Sequence, residues 1–199
     1  MTFLWRVVKG QRTALFSVIL NSLYQTRAKI CSLFKKNSPL GPWNYYLDWT
    51  NEVIGEYSRP KVLKTDCHNE LFGLPRRGGI AGNVKTPADI CLLEWDSDVI
   101  SMMRCRRFDL NIVRGDIRKL PFTSEAFEVV VDLSTIDHIP PQNIEEALSE
   151  YYRVLKSNGT LLLIAWCVDE PIQQAPDPLN WRASSQYYFE YKYIKTLIN

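Results

Sequence analysis

Four short apolar runs in this chain each end in a carboxylate, the side chain that an open parallel sheet would present to a ligand. The runs cover residues 61–66, 90–94, 111–116 and 127–132, and they end in Asp66, Glu94, Asp116 and Asp132. In such a sheet the binding crevice lies outside the carboxyl ends of the strands. A carboxylate after the second strand is suited to accept hydrogen bonds from both hydroxyls of a ribose. One after the third strand is suited to accept from an adenine amino group. The chemistry implied is recognition of an adenosyl compound. Any one of these acids taken singly reads more simply as a cap for the turn or helix that follows it.

The elements that would position these acids are legible between residues 111 and 164. Two apolar runs come first. Ile144, Ala147, Leu148, Tyr151 and Leu155 then recur at helical spacing behind the start signal Pro140-Pro141. Asn158-Gly159 reads as a left-handed stop for that helix. Residues 160–165, Thr-Leu-Leu-Leu-Ile-Ala, have the continuous apolar character of a buried parallel strand. This is a βαβ unit. Upstream, Tyr46, Leu47, Trp49, Val53, Ile54 and Tyr57 give residues 43–57 a helical stripe, read as core packing or as a lid over the pocket. A further helix begins near Asp96. Strands and helices alternating at these intervals predict a doubly wound sheet with right-handed crossovers.

The run Asn-Ile-Val-Arg-Gly-Asp-Ile-Arg-Lys-Leu-Pro-Phe over residues 111–122 continues through Phe-Glu-Val-Val-Val-Asp to Asp132. With Tyr-Arg-Val-Leu-Lys-Ser-Asn-Gly-Thr-Leu over residues 152–161, it resembles the class I S-adenosylmethionine-dependent methyltransferases. The resemblance spans about residues 60–168. It implies a Rossmann-like, mainly parallel α/β sheet of about five strands in the order 3-2-1-4-5. Strands six and seven are expected to be missing, so the edge of the fifth strand should be covered by a terminal segment or paired with another chain. The cofactor implied is S-adenosyl-L-methionine. Glu94 matches the ribose-binding acid with Trp95 beside the adenine, Asp116 with Ile117 matches the adenine-binding turn, and Asp132 closes the fourth strand at the same mouth.

The first motif, residues 62–70, departs from the family's glycine-rich loop. Lys64 stands where an acid is common, and the segment has no glycine. Asp66 or Glu70 is then the candidate to hold the methionine ammonium group. Asp137 and His138, in the loop after the fourth strand, are the candidates for a proton acceptor during methyl transfer. Two functions follow: methyl transfer to an unidentified small-molecule or lipid acceptor, or a catalytically inactive methyltransferase-like binding or partner module. The segment Arg77-Gly-Gly-Ile-Ala-Gly82 lacks the first glycine of a dinucleotide fingerprint, so NAD is not expected.

The totals set the frame. A chain of 199 residues allows one domain and an appendage. The division expected is a basic amphipathic helical arm at 1–42 and an α/β domain at 43–199. Of the 24 Lys and Arg, seven stand before Asp48, whereas none of the 22 Asp and Glu does. The apolar positions Leu4, Val8, Leu15, Ile19, Leu23 and Ile30 recur at near-helical intervals, so residues 1–36 suit an anionic membrane surface, an organellar transit segment, or a helical layer packed on the domain. The longest apolar stretch, 14–20, is too short to span a bilayer. Five scattered cysteines read as free thiols in a reducing compartment, which places the chain in the cytoplasm or peripheral to a membrane. Cys67-His68 lacks a second ligand pair, so no metal is expected. Nucleic acid is not expected either, and a bare sheet edge leaves a homo-oligomer open. Residues 181–199, rich in Tyr and Phe behind Ser184-Ser185, read as a final helix.

Overall fold

The computed structural model describes residues 2–8, 43–74, 76–106, 110–168, 173–176, 185–190, 193 and 196–197. In chain order the elements are β1 (Thr2–Val8), α1 (Trp43–Ile54), β2 (Lys61–Lys64), α2 (His68–Phe72), β3 (Asp89–Glu94), α3 (Ser97–Arg106), β4 (Asn111–Arg114), β5 (Phe127–Leu133), α4 (Ile144–Val154), β6 (Leu155–Val168), β7 (Gln173–Pro176) and β8 (Ser185–Glu190). Strands β4-β3-β2-β5-β6 lie side by side and parallel, which is the expected 3-2-1-4-5 order of the core. The chain runs outward from β2 in both directions, so a crevice opens between the carboxyl ends of β2 and β5.

Alternation along the strands shows why the sheet is covered on both faces. Val129 and Val131 pack with Val62, Leu162 and Ile164 against Tyr46, Leu47, Val53 and Ile54 of α1. Their neighbours Val130, Leu161 and Leu163 pack on the other face, against Ala147, Leu148 and Tyr151 of α4. A period of two along each strand distributes one apolar run between two layers. A third cluster joins Cys67 and Leu71 to Leu92, Val99 and Met103, seating α2 and α3 beside β3. Among the described residues, no helix is long and apolar enough to cross a membrane.

The edge of the sheet differs from expectation. Thr2–Val8 is a strand, not the start of a helix, and it pairs antiparallel with β6 from Thr2 opposite Trp166 to Val8 opposite Thr160. Leu4 and Val8 are four apart, a spacing that fits both a helix turn and a strand's alternation. The β-branched and aromatic residues around them and the open ladder of β6 decide in favour of the strand. The expectation that a terminal segment would cover the 160–165 edge is met by this pairing. The remainder of the basic arm, 9–42, lies outside the described residues.

The sheet also does not stop at five strands on the C-terminal side. β8 pairs parallel with β6 through Cys167–Phe189 and Val168–Glu190, and β7 pairs antiparallel with β8. Ser185–Glu190 was expected as part of a helix. Its Tyr-Tyr-Phe run is equally good strand sequence, and Phe189 is fully buried in the core. Asn158-Gly159 does not stop α4 either. The helix ends at Val154 and the chain turns directly into β6. Asn158 (φ 65°) takes a left-handed conformation within that strand, where the pairing with β5 shifts register.

Candidate functional site

The loop leaving β2 is organised by a buried lysine. Lys64 lies between β3 and β5 and is only 1% exposed. Its ammonium is 2.9 Å from Asp66 Oδ1, donates to the Asp66 carbonyl at 2.9 Å, and is 3.1 Å from Glu70 Oε2. Burial alone would lower the Lys64 pKa, but the two carboxylates outweigh it and hold the ammonium charged. Asp66 is conversely held below its usual value: burial opposes this, and Lys64, followed by His68, overcomes it. The carboxylate of Glu70 faces inward. Its Oε1 accepts from the Ala81 N–H at 2.9 Å, and its side chain has no exposed surface. Gly79 (φ 65°) lets its loop lie directly on α2, because a Cβ there would stand 2.6 Å from the Glu70 backbone.

Neither Asp66, His68 nor Glu70, the residues of the glycine-free first motif, has a positive φ. The backbone of this loop therefore does not require glycine. His68 stacks on Trp43 at the start of α1, with ring centroids 5.5 Å apart, and meets Phe72 at 4.9 Å. The α1 stripe residues Tyr46, Leu47, Val53 and Ile54 are core packing, and Trp43, at the start of the helix and outside that stripe, makes the contact with this loop.

Glu94 and Asp116 reach the same edge of the sheet from adjacent strands. Glu94 pairs in register with Arg114, and Gly115 N–H donates to the Glu94 carbonyl at 3.0 Å. The Glu94 side chain is nearly buried. It accepts from the Asp96 N–H at 3.1 Å, and the nearby backbone N–H groups of Cys67 and Trp95 also favour its charged form. Burial and, to a lesser extent, the charge of Asp66 raise its pKa despite these bonds. Trp95 beside it is 73% exposed, whereas Ile117 is buried. Asp116 is half-exposed and carries a bidentate partner: Arg118 Nε lies 3.0 Å from both of its oxygens.

Asp132 is placed differently. It is fully buried and accepts from the N–H groups of Thr135 (2.7 Å) and Ile136 and from the Tyr151 hydroxyl (2.7 Å). It therefore caps the turn after β5 and has no surface to offer a ligand. Burial pushes its pKa up to about 6, despite the hydrogen bonds from Tyr151 and the backbone. A carboxyl whose folded value is raised stabilises the fold below its unfolded value and loses that contribution as pH rises through about 6. Asp132→Asn is accordingly expected to flatten the pH dependence of urea-unfolding stability between about pH 4 and pH 6, where the wild type should lose roughly 3 kcal/mol. An unchanged slope would assign that titration elsewhere.

Asp137 and His138, the candidates for a proton acceptor, differ in their exposure. Asp137 is fully buried and bonded to Ser134 Oγ, whereas His138 is exposed. Two further residues lie beside these acids: Tyr46, read from the sequence only as part of the α1 stripe, and Thr135, which the sequence reading did not single out. Tyr46 is buried, and its phenol pKa is raised by burial and by the nearby charges of Asp137, Asp66 and Asp132. Thr135 bridges the two halves of the crevice, receiving a hydrogen bond from Thr65 Oγ1 at 2.9 Å and lying 3.2 Å from Asp66 Oδ2. A cavity of about 10 Å³ lies between α1 and the sheet, lined by Thr50, Ile54, Val62, Lys64, Ile80 and Val131. It is large enough for no more than a water molecule. Among the described residues no group of His, Cys, Asp and Glu is arranged to hold a metal ion.

Residues 80–163 match the sequence family described as a methyltransferase domain. An uncharacterized protein of Haemophilus influenzae is 38% identical over 53 residues, 27% of this chain and 21% of that protein. A protein of Encephalitozoon cuniculi, whose name assigns it provisionally to the methyltransferases, is 39% identical over 56 residues, 28% of this chain and 27% of its own length. The matches therefore span about a quarter of these curated relatives. Among solved structures, a protein of Pyrococcus horikoshii superposes with TM-score 0.54 at 18% identity, over 81% of this chain and 82% of its own. A SAM-dependent methyltransferase of Methanosarcina mazei superposes with TM-score 0.56 at 13% identity, over 75% and 81%. At these identities the superpositions establish the fold.

Proposed function

We propose that this chain, which carries a class I S-adenosylmethionine-dependent methyltransferase domain, binds S-adenosylmethionine across the carboxyl ends of β2, β3 and β4 and transfers its methyl group to a small-molecule or lipid acceptor. The observation that carries the reading is that Glu94 and the turn holding Asp116 stand at the carboxyl ends of the adjacent parallel strands β3 and β4, with Asp66, after β2, near enough for its charge to raise the Glu94 pKa. Glu94 is in position to accept from the two ribose hydroxyls. Trp95 offers an exposed indole face for the adenine, and Asp116 can accept from the adenine amino group on the side that Arg118 leaves open. The residues present thus fit the adenosine half of the cofactor.

When bound, the cofactor supplies a methyl group on a positively charged sulfur. The protein's part is to hold donor and acceptor in line and exclude water. Trp43, His68 and Phe72 are placed to help with exclusion, since their rings cover the loop after β2. If the acceptor must lose a proton, His138 is the exposed group in the loop after β5, whereas Asp137 is enclosed.

One observation favours a second reading, a catalytically inactive binding module: Asp66, His68 and Glu70 fill positions that glycines occupy in the family. Isothermal titration of the wild-type protein separates the two. The enzyme reading expects saturable heat with S-adenosylmethionine and competition by S-adenosylhomocysteine. Absence of heat with either would leave only the second reading.

A further inference from the structure

The geometry points to Arg118 as a gate on the adenine pocket: it occupies the Asp116 carboxylate in the free protein, and a nucleobase gains the full strength of that carboxylate only by displacing the guanidinium. The inference rests on the adenosine crevice proposed above and concerns what sets its affinity and its choice of base.

Three observations carry it. First, both oxygens of Asp116 are engaged from within its own turn. Oδ1 accepts from the Arg118 N–H at 2.9 Å and from Nε at 3.0 Å, and Oδ2 accepts from Nε at 3.0 Å and from Nη2. An amino group arriving at Asp116 therefore meets a carboxylate already neutralised by a fork of donors.

Second, the backbone of the turn is fixed, whereas the two charged side chains are open to water. Lys119 N–H donates to the Asp116 carbonyl at 3.0 Å, and Ile117, between the paired residues, is buried. Gly115 lies so close to β3 that a Cβ there would stand 2.7 Å from the Leu93 side chain. The side chains of Asp116 and Arg118 are nonetheless 42% and 41% exposed. An ion pair at that exposure contributes little to stability, so a competing donor can replace it without disturbing the fold. Third, Arg118 has another anion at hand. Glu146 is exposed on the first turn of α4, and its charge acts on Arg118 after the hydrogen bond and charge of Asp116. A guanidinium released from Asp116 thus keeps a carboxylate nearby.

The exocyclic amino group of adenine competes with Arg118 for one acceptor, so its apparent affinity falls with the fraction of molecules whose carboxylate is free. Hypoxanthine has a carbonyl in place of that amino group. A bare carboxylate repels the carbonyl, but a guanidinium standing between them can donate to both. Arg118 therefore weakens the hold on adenine and softens the discrimination against hypoxanthine.

Titration calorimetry with 5′-methylthioadenosine and 5′-methylthioinosine tests this. Arg118→Met is expected to tighten methylthioadenosine about three- to tenfold and to weaken methylthioinosine, so that the ratio of the two affinities rises about tenfold or more. In an Asp116→Asn background the same substitution should move neither ligand by more than about twofold, because the group that Arg118 guards is gone. Urea unfolding reports that each variant is folded, and midpoints near that of the wild type are expected for so exposed a pair. A ratio that stays the same or falls in Arg118→Met would overturn the gate while leaving the adenosine reading intact, as would an equal change in the Asp116→Asn background. If neither the wild type nor Arg118→Met binds methylthioadenosine, the adenosine reading falls and the gate with it.

Discussion

Glu94→Ala is expected to weaken S-adenosylmethionine binding at least roughly 100-fold, because two hydrogen bonds to a carboxylate are lost at about 1.5–3 kcal/mol each. The geometry makes this residue hard to replace. Its carboxylate is nearly buried between the ends of β2 and β3, and its elevated pKa reflects a desolvated group whose remaining lone pairs are poorly served by water. The substitution also removes the acceptor for the Asp96 N–H, so a stability loss on the order of 1–3 kcal/mol should accompany it. Glu94→Gln separates the two effects. It keeps an oxygen for the backbone donor and replaces the second with an amide donor that cannot accept a ribose hydroxyl. Stability near that of the wild type with binding still strongly weakened is the expected outcome. Equal calorimetric binding by Glu94→Ala and the wild type would show that the ribose is held elsewhere.

The second large effect concerns the fold. Lys64→Met is expected to destabilise the protein by about 3–5 kcal/mol in urea unfolding, because it leaves Asp66 and Glu70 without their buried counter-ion. Lys64→Met combined with Glu70→Gln should recover part of that loss, since one of the two uncompensated charges is then removed. The signs of the shifts agree. The raised value of Lys64 means that its contribution persists across neutral pH and is lost only in strong base. The lowered value of Asp66 means that its contribution is present above the ordinary carboxyl range and lost in acid. A fully additive double substitution would mean that Lys64 and Glu70 do not act as a pair.

Much of this architecture was legible because the local signals agree with one another. The β-branched run of β5, the helical stripe of α4 and the acids at the strand ends led directly to the parallel core and its order. Parity within a strand held more information than was drawn from it. Asp132 has the parity of Val130, which packs on the α4 face, so Asp132 meets Tyr151 and not a ligand. Lys64 shares the parity of Val62 on the α1 face, but a lysine in a four-residue strand reads locally as solvent-exposed. Its burial follows from β2 lying at the centre of the sheet, a property of the assembly and not of the segment.

The edges were the least legible part. In Thr2–Val8 the apolar spacing satisfies two periods, and the choice is made by a partner strand more than 150 residues away in sequence, from Val8 opposite Thr160 to Thr2 opposite Trp166. Residues 185–190 likewise owe their strand to the C-terminal extension of β6. Tyr46 could be placed on the buried stripe of its helix, but its proximity to Asp66 and Asp137 arises only when α1 packs over β2 and β5.

The central claim is that one edge of this sheet is shaped for an adenosyl ligand, and a crystal structure of the protein with S-adenosylhomocysteine tests it most directly. The account expects both ribose hydroxyls within hydrogen-bond distance of the Glu94 carboxylate and the adenine between Trp95 and the Asp116–Ile117 turn. A ligand bound away from Glu94, or a crevice still filled by Asp66, Tyr46 and His68 at saturating ligand, would contradict it.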